Sequence, residues 1–499
     1  MKVLFYLEPH PIRERYESFS WIGKEVCKML QDKYVHTQFN KKKTLLDMRI
    51  MTSRHYAPLM KEFPKIRKAF IGLTSKENDS LSYFYDDWNQ QSIAIWKELM
   101  HGEGEVSKFY NDILSRVKNN VFDFDVIIYW STNGAVKKFA LDHNVQSISM
   151  ELGCTRIPFF ESVYMDFLGV NGNAITRKLD IKLLPDCDID EIIENLPFNL
   201  AGNKGKDGKH NVLKTSFIEE IYKNPLKNIL IPMQLDDDSN ILMFSKYANM
   251  LEFLEEVLPP LINKGYRCFI KPHPGAKSRK LTELGHKTCE DYCSDLKNVF
   301  WVDDIDNKRD YLSLLNKMTA VVTVNSSVGF EALLLKKVVV TMGDGAYSIN
   351  SLPTLTQLVD GTINLKEYYI NIGKIANVML YNYLLPKEYV FEQNFFVEYL
   401  LRQIRLNNAY LTLNNRDFTH YFLKEENNMK NYFILYDSDQ SFLTQYQQRI
   451  VSKQNTVPIE NIEKRTSLSQ KHIRNRKMKK LFDSPVLFFS DAIKNILKK

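Results

Sequence analysis

Short apolar runs that stop at polar turns recur along the chain, and most are followed by a stretch with helical apolar spacing. Val3 to Leu7 is the first such run, closed by Glu8-Pro9-His10-Pro11, and Ser18 to Leu30 then places Phe19, Ile22, Val26 and Met29/Leu30 on one helical face. Residues 31–120 read as mostly helical, rich in Lys, Tyr and Trp, without a sharp motif. Alternation returns with a strand at Asp125–Trp130, a helix at Gly134–His143 and a strand at Gln146–Leu152, which together make one βαβ unit.

The polar, glycine-bearing stretch 199–210 (Asn199 to His210) reads as a linker. A second alternation follows: strand Asn228–Gln234, helix Phe244–Asn263, strands Arg267–Lys271 and Asn298–Val302, helix Tyr311–Asn316, strand Ala320–Val324, helix Gly329–Leu335 and strand Val338–Met342. Two βα-rich halves predict an α/β protein with two Rossmann-like lobes facing across a cleft, GT-B-like in outline, followed by a helical basic tail. The expected division is a first, acceptor-side lobe over 1–198, the linker, a second, nucleotide-sugar-binding lobe over 211–405, a helical extension over 406–463 packed on the second lobe, and the tail over 464–499.

Charge refines this division. The 499 residues carry 67 Lys and Arg against 60 Asp and Glu, a net of +7. Residues 464–499 alone account for +9, so the rest of the chain stands at −2. The body therefore lacks the basic excess of a nucleic-acid-binding domain. Within the tail, Lys464 to Lys480 is basic, and Val486, Phe489, Ile493 and Ile496/Leu497 share a helical face, a pattern suited to an anionic membrane surface. The ordinary alternative is a solvated tail or a helix docked on the protein. The six cysteines contain no CxxC pair and predict free thiols. No apolar run reaches the roughly 18 residues of a membrane span, and the N-terminal run is too short for a signal peptide. The expected location is the cytoplasm, peripheral on the inner face of the membrane.

Open parallel sheets bind ligands beyond the carboxyl ends of their strands, and four strand-end segments carry unusual chemistry. Lys271-Pro272-His273-Pro274 holds a histidine between two prolines, with a lysine two residues before it, a rigid arrangement suited to gripping a phosphate. In Thr323-Val-Asn-Ser326-Ser327-Val-Gly329-Phe-Glu331, two serines open a helix whose free N–H groups and partial positive charge suit the same anion. An ordinary serine cap is the plain alternative. Glu331, one turn further on, is placed to accept ribose hydroxyls. Gln234-Leu-Asp236-Asp237-Asp238-Ser239 offers three carboxylates for a metal-binding DxD, a catalytic carboxylate or a solvated helix cap, and the metal reading is set aside because these acids open the second of two lobes. Glu151-Leu-Gly153-Cys-Thr-Arg156 ends a first-lobe strand with an acid aimed at the cleft or at solvent.

As an ordered set, these residues resemble the bacterial retaining β-Kdo transferases of capsule and lipopolysaccharide assembly. The resemblance covers roughly residues 1–400 and rests on Glu151-x-Gly153-x-x-Arg156 with Leu168-Gly169-Val170-Asn171, Gln234 with Asp238-Ser239, Lys271-Pro272-His273-Pro274, and Ser326-Ser327-x-Gly329-Phe330-Glu331. It implies transfer of Kdo from CMP-β-Kdo to a glycan or glycolipid acceptor with retention. Carried over, Asp238 is the catalytic carboxylate and Glu151 the general acid/base. Lys271, His273, Ser326, Ser327, Gly329 and Glu331 hold the CMP, and Gln234, Arg156 and Asn171 contact substrate. No metal and no cofactor beyond the donor is implied. CMP-sialic acid or CDP-polyol transfer, a UDP-sugar epimerase or hydrolase, and a non-catalytic assembly scaffold are the competing readings.

Overall fold

The computed structural model describes residues 1–7, 16–31, 36–39, 42–84, 90–156, 159, 161–194, 227–278, 280–302, 308–349, 351–387, 390–391 and 393–436. The expected linker 199–210 and basic tail 464–499 lie outside the described residues, as does 437–463 of the expected extension. Met1–Asn431 is one compact unit. Tyr432–Lys499 is a second, of which the described part is the end of the helix Asn415–Tyr436.

Fourteen strands are described: β1 Lys2–Leu7, β2 His36–Phe39, β3 Lys42–Leu45, β4 Asp47–Thr52, β5 Phe70–Gly72, β6 Val126–Trp130, β7 Gln146–Leu152, β8 Ser162–Asp166, β9 Asn228–Pro232, β10 Arg267–Lys271, β11 Val299–Trp301, β12 Ala320–Thr323, β13 Val338–Thr341 and β14 Leu385–Pro386. They form a seven-stranded sheet in the order β14-β8-β7-β6-β1-β4-β5, a five-stranded sheet in the order β11-β10-β9-β12-β13, and a separate β2-β3 pair. Each main sheet starts in its middle, at β1 and at β9, and winds outward in both directions. This is the doubly wound order, with a switch point between β1 and β6 in one lobe and between β9 and β12 in the other. The five-stranded sheet is parallel throughout. Parallel sheets are covered on both faces, which is why Val3–Leu7, Asn228–Pro232 and Ala320–Thr323 are buried along their whole lengths. The two-lobed α/β, GT-B-like arrangement expected from the alternation is the one observed.

Several boundaries move. Residues 31–120 hold two sheet strands, β4 and β5, as well as helices. Asp-Met-Arg-Ile-Met-Thr lacks the β-branched run that marks a strand, and its pairing with β1 comes from tertiary contact. The helix expected from Phe244 begins at Met250, because Asn249 caps it by accepting from the Glu252 N–H at 3.0 Å. The preceding residues stay irregular, and Ser245 bridges to Gly343. Residues 172–194, assigned from sequence to the first lobe, already lie on the second. Arg177 pairs with Asp344 at 2.6 Å, Lys336 with Asp190 at 2.7 Å and Lys374 with Asp186 at 3.1 Å. In the other direction, the chain leaves the second lobe before Leu385. β14 pairs with β8, and the helix Gln393–Thr412 packs on β8, so the residues expected to extend the second lobe complete the first.

Asp166 ties this returning chain down. It is fully buried at the end of β8 and accepts from the N–H groups of Leu168 (2.8 Å) and Ile175 (2.7 Å) and from the Tyr383 hydroxyl (2.7 Å). The Tyr164 and Tyr383 rings lie 4.9 Å apart beside it. Burial lifts the Asp166 carboxyl to about 6, against the pull of those donors. Among the described residues no helix is long and apolar enough to cross a membrane.

Asp166→Asn is expected to lower stability by about 1–3 kcal/mol, because an amide NH₂ then faces donors that need an acceptor. Because the folded carboxyl titrates above its unfolded value, the folded chain takes up the proton first. Wild-type stability relative to the variant therefore rises as pH falls through about 6 toward 4. Urea unfolding of both proteins across pH 4.5–8 measures this.

Candidate active site

The second-lobe switch point is closed by a reciprocal side-chain pair. Gln234, just past β9, donates from Nε2 to Asn325 Oδ1 at 2.9 Å and accepts at Oε1 from the Asn325 N–H at 3.1 Å. Asn325, just past β12, donates from Nδ2 to the carbonyls of Asn240 (3.1 Å) and Asp344 (3.0 Å). One buried amide thus fixes the Asp238–Asn240 turn, the Ser326 helix start and the loop at the lobe joint. Gln234, expected to contact substrate, has both amide atoms committed to this bridge.

The three adjacent acids separate by environment. Asp236 accepts from the Met250 N–H at 2.8 Å, helping to cap the helix Met250–Asn263, and burial raises its carboxyl to about 6, with Asp237 adding to the rise. Asp237 is 1% exposed. Asp238 is half-buried and caps the short helix Ser239–Leu242, and its Oδ1 accepts from the Asn240 N–H at 3.0 Å. Its Oδ2 has no hydrogen-bond partner among the described residues. The helix Ser239–Leu242 reaches the first lobe, where Leu242 and Met243 pack against the cluster of Tyr6, Tyr129 and Val136. Asp238 therefore sits at the joint between the lobes.

At the end of β10, the Gly275 N–H donates to His273 Nδ1 at 3.0 Å, so the neutral ring carries its proton on Nε2. Lys271 Nζ lies 5.7 Å from the centre of the Tyr311 ring. At the next strand but one, Ser326 is the N-cap of the helix Ser327–Leu334 and accepts from the Val328 N–H at 3.3 Å, while its carbonyl takes the Gly329 N–H. The serine cap thus satisfies part of the helix start itself. Ser327, half-buried, keeps its N–H and hydroxyl without partners among the described residues. Gly329 is required by packing, since a Cβ there would lie 2.2 Å from the Tyr347 hydroxyl, which donates to the Ser326 carbonyl at 2.6 Å. Glu331 is 3% exposed and accepts from the Tyr311 hydroxyl at 2.7 Å. Burial and the Glu331 charge hold that phenol well above its usual range.

The first-lobe residues are placed by their own loop. Glu151, at the end of β7, turns Oε1 to the Leu152 N–H at 2.8 Å. Arg156 braces the loop by donating to the Gly153 and Thr155 carbonyls. Asn171, at φ +53°, is held by the Tyr164 hydroxyl, which accepts from its N–H at 2.9 Å and lies 3.2 Å from its Oδ1. Arg156 and Asn171 thus have local structural partners. Burial pushes the Cys154 thiol up to about 12, with the Arg156 charge easing the rise and the Glu331 charge adding to it. All six cysteines are free thiols.

Three residues that brace the site carried little or no signal along the chain. Asn325 lies inside the serine segment, where a polar residue at a buried strand end is its only signal. Tyr311 and Tyr347 carry no local signal, since each acquires its role by meeting a distant segment. The structure groups Gln234, Asp238 and Ser326 around Asn325, sets Gly329 against Tyr347 behind the serine cap, and leaves Glu151 at the end of β7 and Arg156 on the loop that follows it.

Two family models match: residues 67–175 match the Glycosyltransferase 99 family N-terminal domain, and residues 208–364 match Capsule polysaccharide biosynthesis protein. Over these two segments the chain is similar to glycosyltransferases and to capsule polysaccharide synthesis proteins. No curated protein matches. Among solved structures, the β-Kdo 2,7 transferase of Thermosulfurimonas dismutans KpsC is 19% identical, with 61% of this chain and 82% of that chain covered and a TM-score of 0.31. The β-Kdo 2,4 transferase of the same protein is 17% identical, covering 50% and 79%, with a TM-score of 0.29. The UDP-GlcNAc 2-epimerase of Neisseria meningitidis bound to UDP-GlcNAc is 14% identical, covering 81% and 100%, with a TM-score of 0.27.

Gly329→Ala is expected to cost about 1–3 kcal/mol, because its methyl displaces the Tyr347 hydroxyl from the Ser326 carbonyl. Denaturant unfolding of Gly329→Ala beside Tyr347→Phe checks this: the glycine variant should lose at least as much stability as the tyrosine variant.

Proposed function

We propose that the protein transfers Kdo from CMP-β-Kdo to a glycan acceptor in capsule synthesis, with retention and with Asp238 as nucleophile. The observation that carries this reading is the state of Asp238: one carboxylate oxygen is pinned by the Asn240 N–H, the other is unpartnered among the described residues, and the turn is bridged through Asn325 to the serine-capped helix. A carboxylate anchored on one oxygen presents the other in a defined direction, which attack on an anomeric carbon needs.

The donor chemistry fits the surrounding groups. Kdo is a ketose with a carboxylate beside its anomeric carbon, and retention requires two displacements, by analogy with retaining glycosidases. Departing CMP gains one negative charge. His273 Nε2–H, the Lys271 ammonium and the Ser327 N–H, which has no partner among the described residues, are donors for that charge, and they supply the stabilisation a divalent cation would otherwise give. Glu151, at the end of β7, is the candidate proton donor and acceptor at the acceptor hydroxyl. Glu331 acts from beneath the site through Tyr311, in keeping with its burial.

Asp238→Asn is expected to lower transfer on the order of 10³-fold or more while CMP still binds, measured by product formation and by calorimetric titration. Full activity in Asp238→Asn together with its loss in Asp236→Asn would overturn the assignment. Transfer is further expected to survive EDTA, and loss of turnover restored by Mg²⁺ or Mn²⁺ would contradict the donor roles given to Lys271, His273 and Ser327.

A further inference from the structure

Beside the histidine turn, a cavity of about 500 Å³ runs from Lys271 and His273 along the helix Lys280–Ser294 to Trp301 and Val302 at the end of β11. Its size suits a nucleoside, and it combines an aromatic wall with a few polar groups. His286 lines it and is 5% exposed. Its Nε2 lies 3.1 Å from the Gln234 carbonyl oxygen, and its ring stands edge-to-face with Trp301 at 6.4 Å. A carbonyl only accepts, so Nε2 must carry the proton. Burial lowers the tendency of the ring to take a second proton, with the Gln234 carbonyl opposing the shift. The neutral ring therefore has a bare Nδ1, an acceptor that can be satisfied only by an N–H or O–H.

Resting on the CMP reading above, we propose that this cavity seats the pyrimidine base and that His286 Nδ1 selects cytosine by accepting from its 4-amino group. The phosphate then falls at the Lys271 and His273 end of the cavity. A uracil in the same place sets its 4-oxo oxygen against the Nδ1 lone pair, leaving two acceptors facing each other. Because His286 is locked by the carbonyl of Gln234, the residue that also bridges to Asn325, base selection is mechanically tied to the switch point that positions Asp238.

The test is calorimetric titration of the full chain with CMP, UMP and N4,N4-dimethyl-CMP, using the wild type and His286→Phe. Wild type should bind CMP roughly 10-fold more tightly than UMP or the dimethylated analogue, the size of one directional hydrogen bond with its unpaired alternative. In His286→Phe all three should bind within about 2-fold of one another. Equal wild-type affinity for CMP and dimethyl-CMP overturns the assignment even if the variant fails to fold, as does discrimination that persists in a folded His286→Phe. A wild type that binds no CMP at all overturns the CMP reading and this inference with it. CMP bound without dependence on the 4-amino group overturns only the role of His286.

Discussion

A buried glutamine and a buried asparagine at the end of two adjacent parallel strands exchange hydrogen bonds, and most of the candidate site hangs from that pair. Gln234 and Asn325 stand where the second sheet reverses its winding direction, so the loops beyond them diverge and open a crevice. Both side chains are buried, so leaving either amide unpaired costs a desolvation penalty. The pair is therefore stiff. Through Asn240 it orients Asp238, through chain continuity it orients Ser326 and Ser327, and through the Gln234 carbonyl it fixes the tautomer of His286.

The lobes meet around the same region. Arg177 and Thr176 of the crossing segment bind Asp344 and Ala346, the loop that Asn325 Nδ2 also holds. Tyr347 from that loop fills the space left by Gly329 and braces the serine cap from behind. A movement of one lobe against the other would thus be felt at the helix start that faces an anion. The acids differ in burial: Asp166 and Glu331 are almost fully buried and accept from donors with structural duties, Asp236 accepts from a helix start, and Asp238 is half-buried at the lobe joint.

Much of the framework was legible along the chain. The apolar runs of β1, β6, β9, β10, β12 and β13 announced themselves because parallel strands are buried on both faces, and a strand buried on both faces must be apolar throughout. The four strand-end segments were legible for a related reason, since polar groups at the end of such a run sit at the sheet's carboxyl edge. β4 and β5 were hidden, as their Met, Arg and Gly residues form strands only by pairing beside β1. The return of residues past 384 to the first sheet was hidden too. Leu385-Pro386 is too short to carry a pattern, and its partner, β8, lies far away in sequence.

The amino-acid sequence by itself determined that the protein has two βα-rich halves, which segments end their strands, and that the basic excess belongs to the tail, because periodicity, chain order and charge are local properties. Tertiary structure decided how the three adjacent aspartates divide between buried and half-buried positions, that Gln234 is a brace, that Glu331 is buried under Tyr311, and that His286 lines a cavity beside the histidine turn. Those outcomes depend on hydrogen-bond partners brought from distant strands and helices, and a side chain's chemistry is set by the partners that reach it once its own segment has folded.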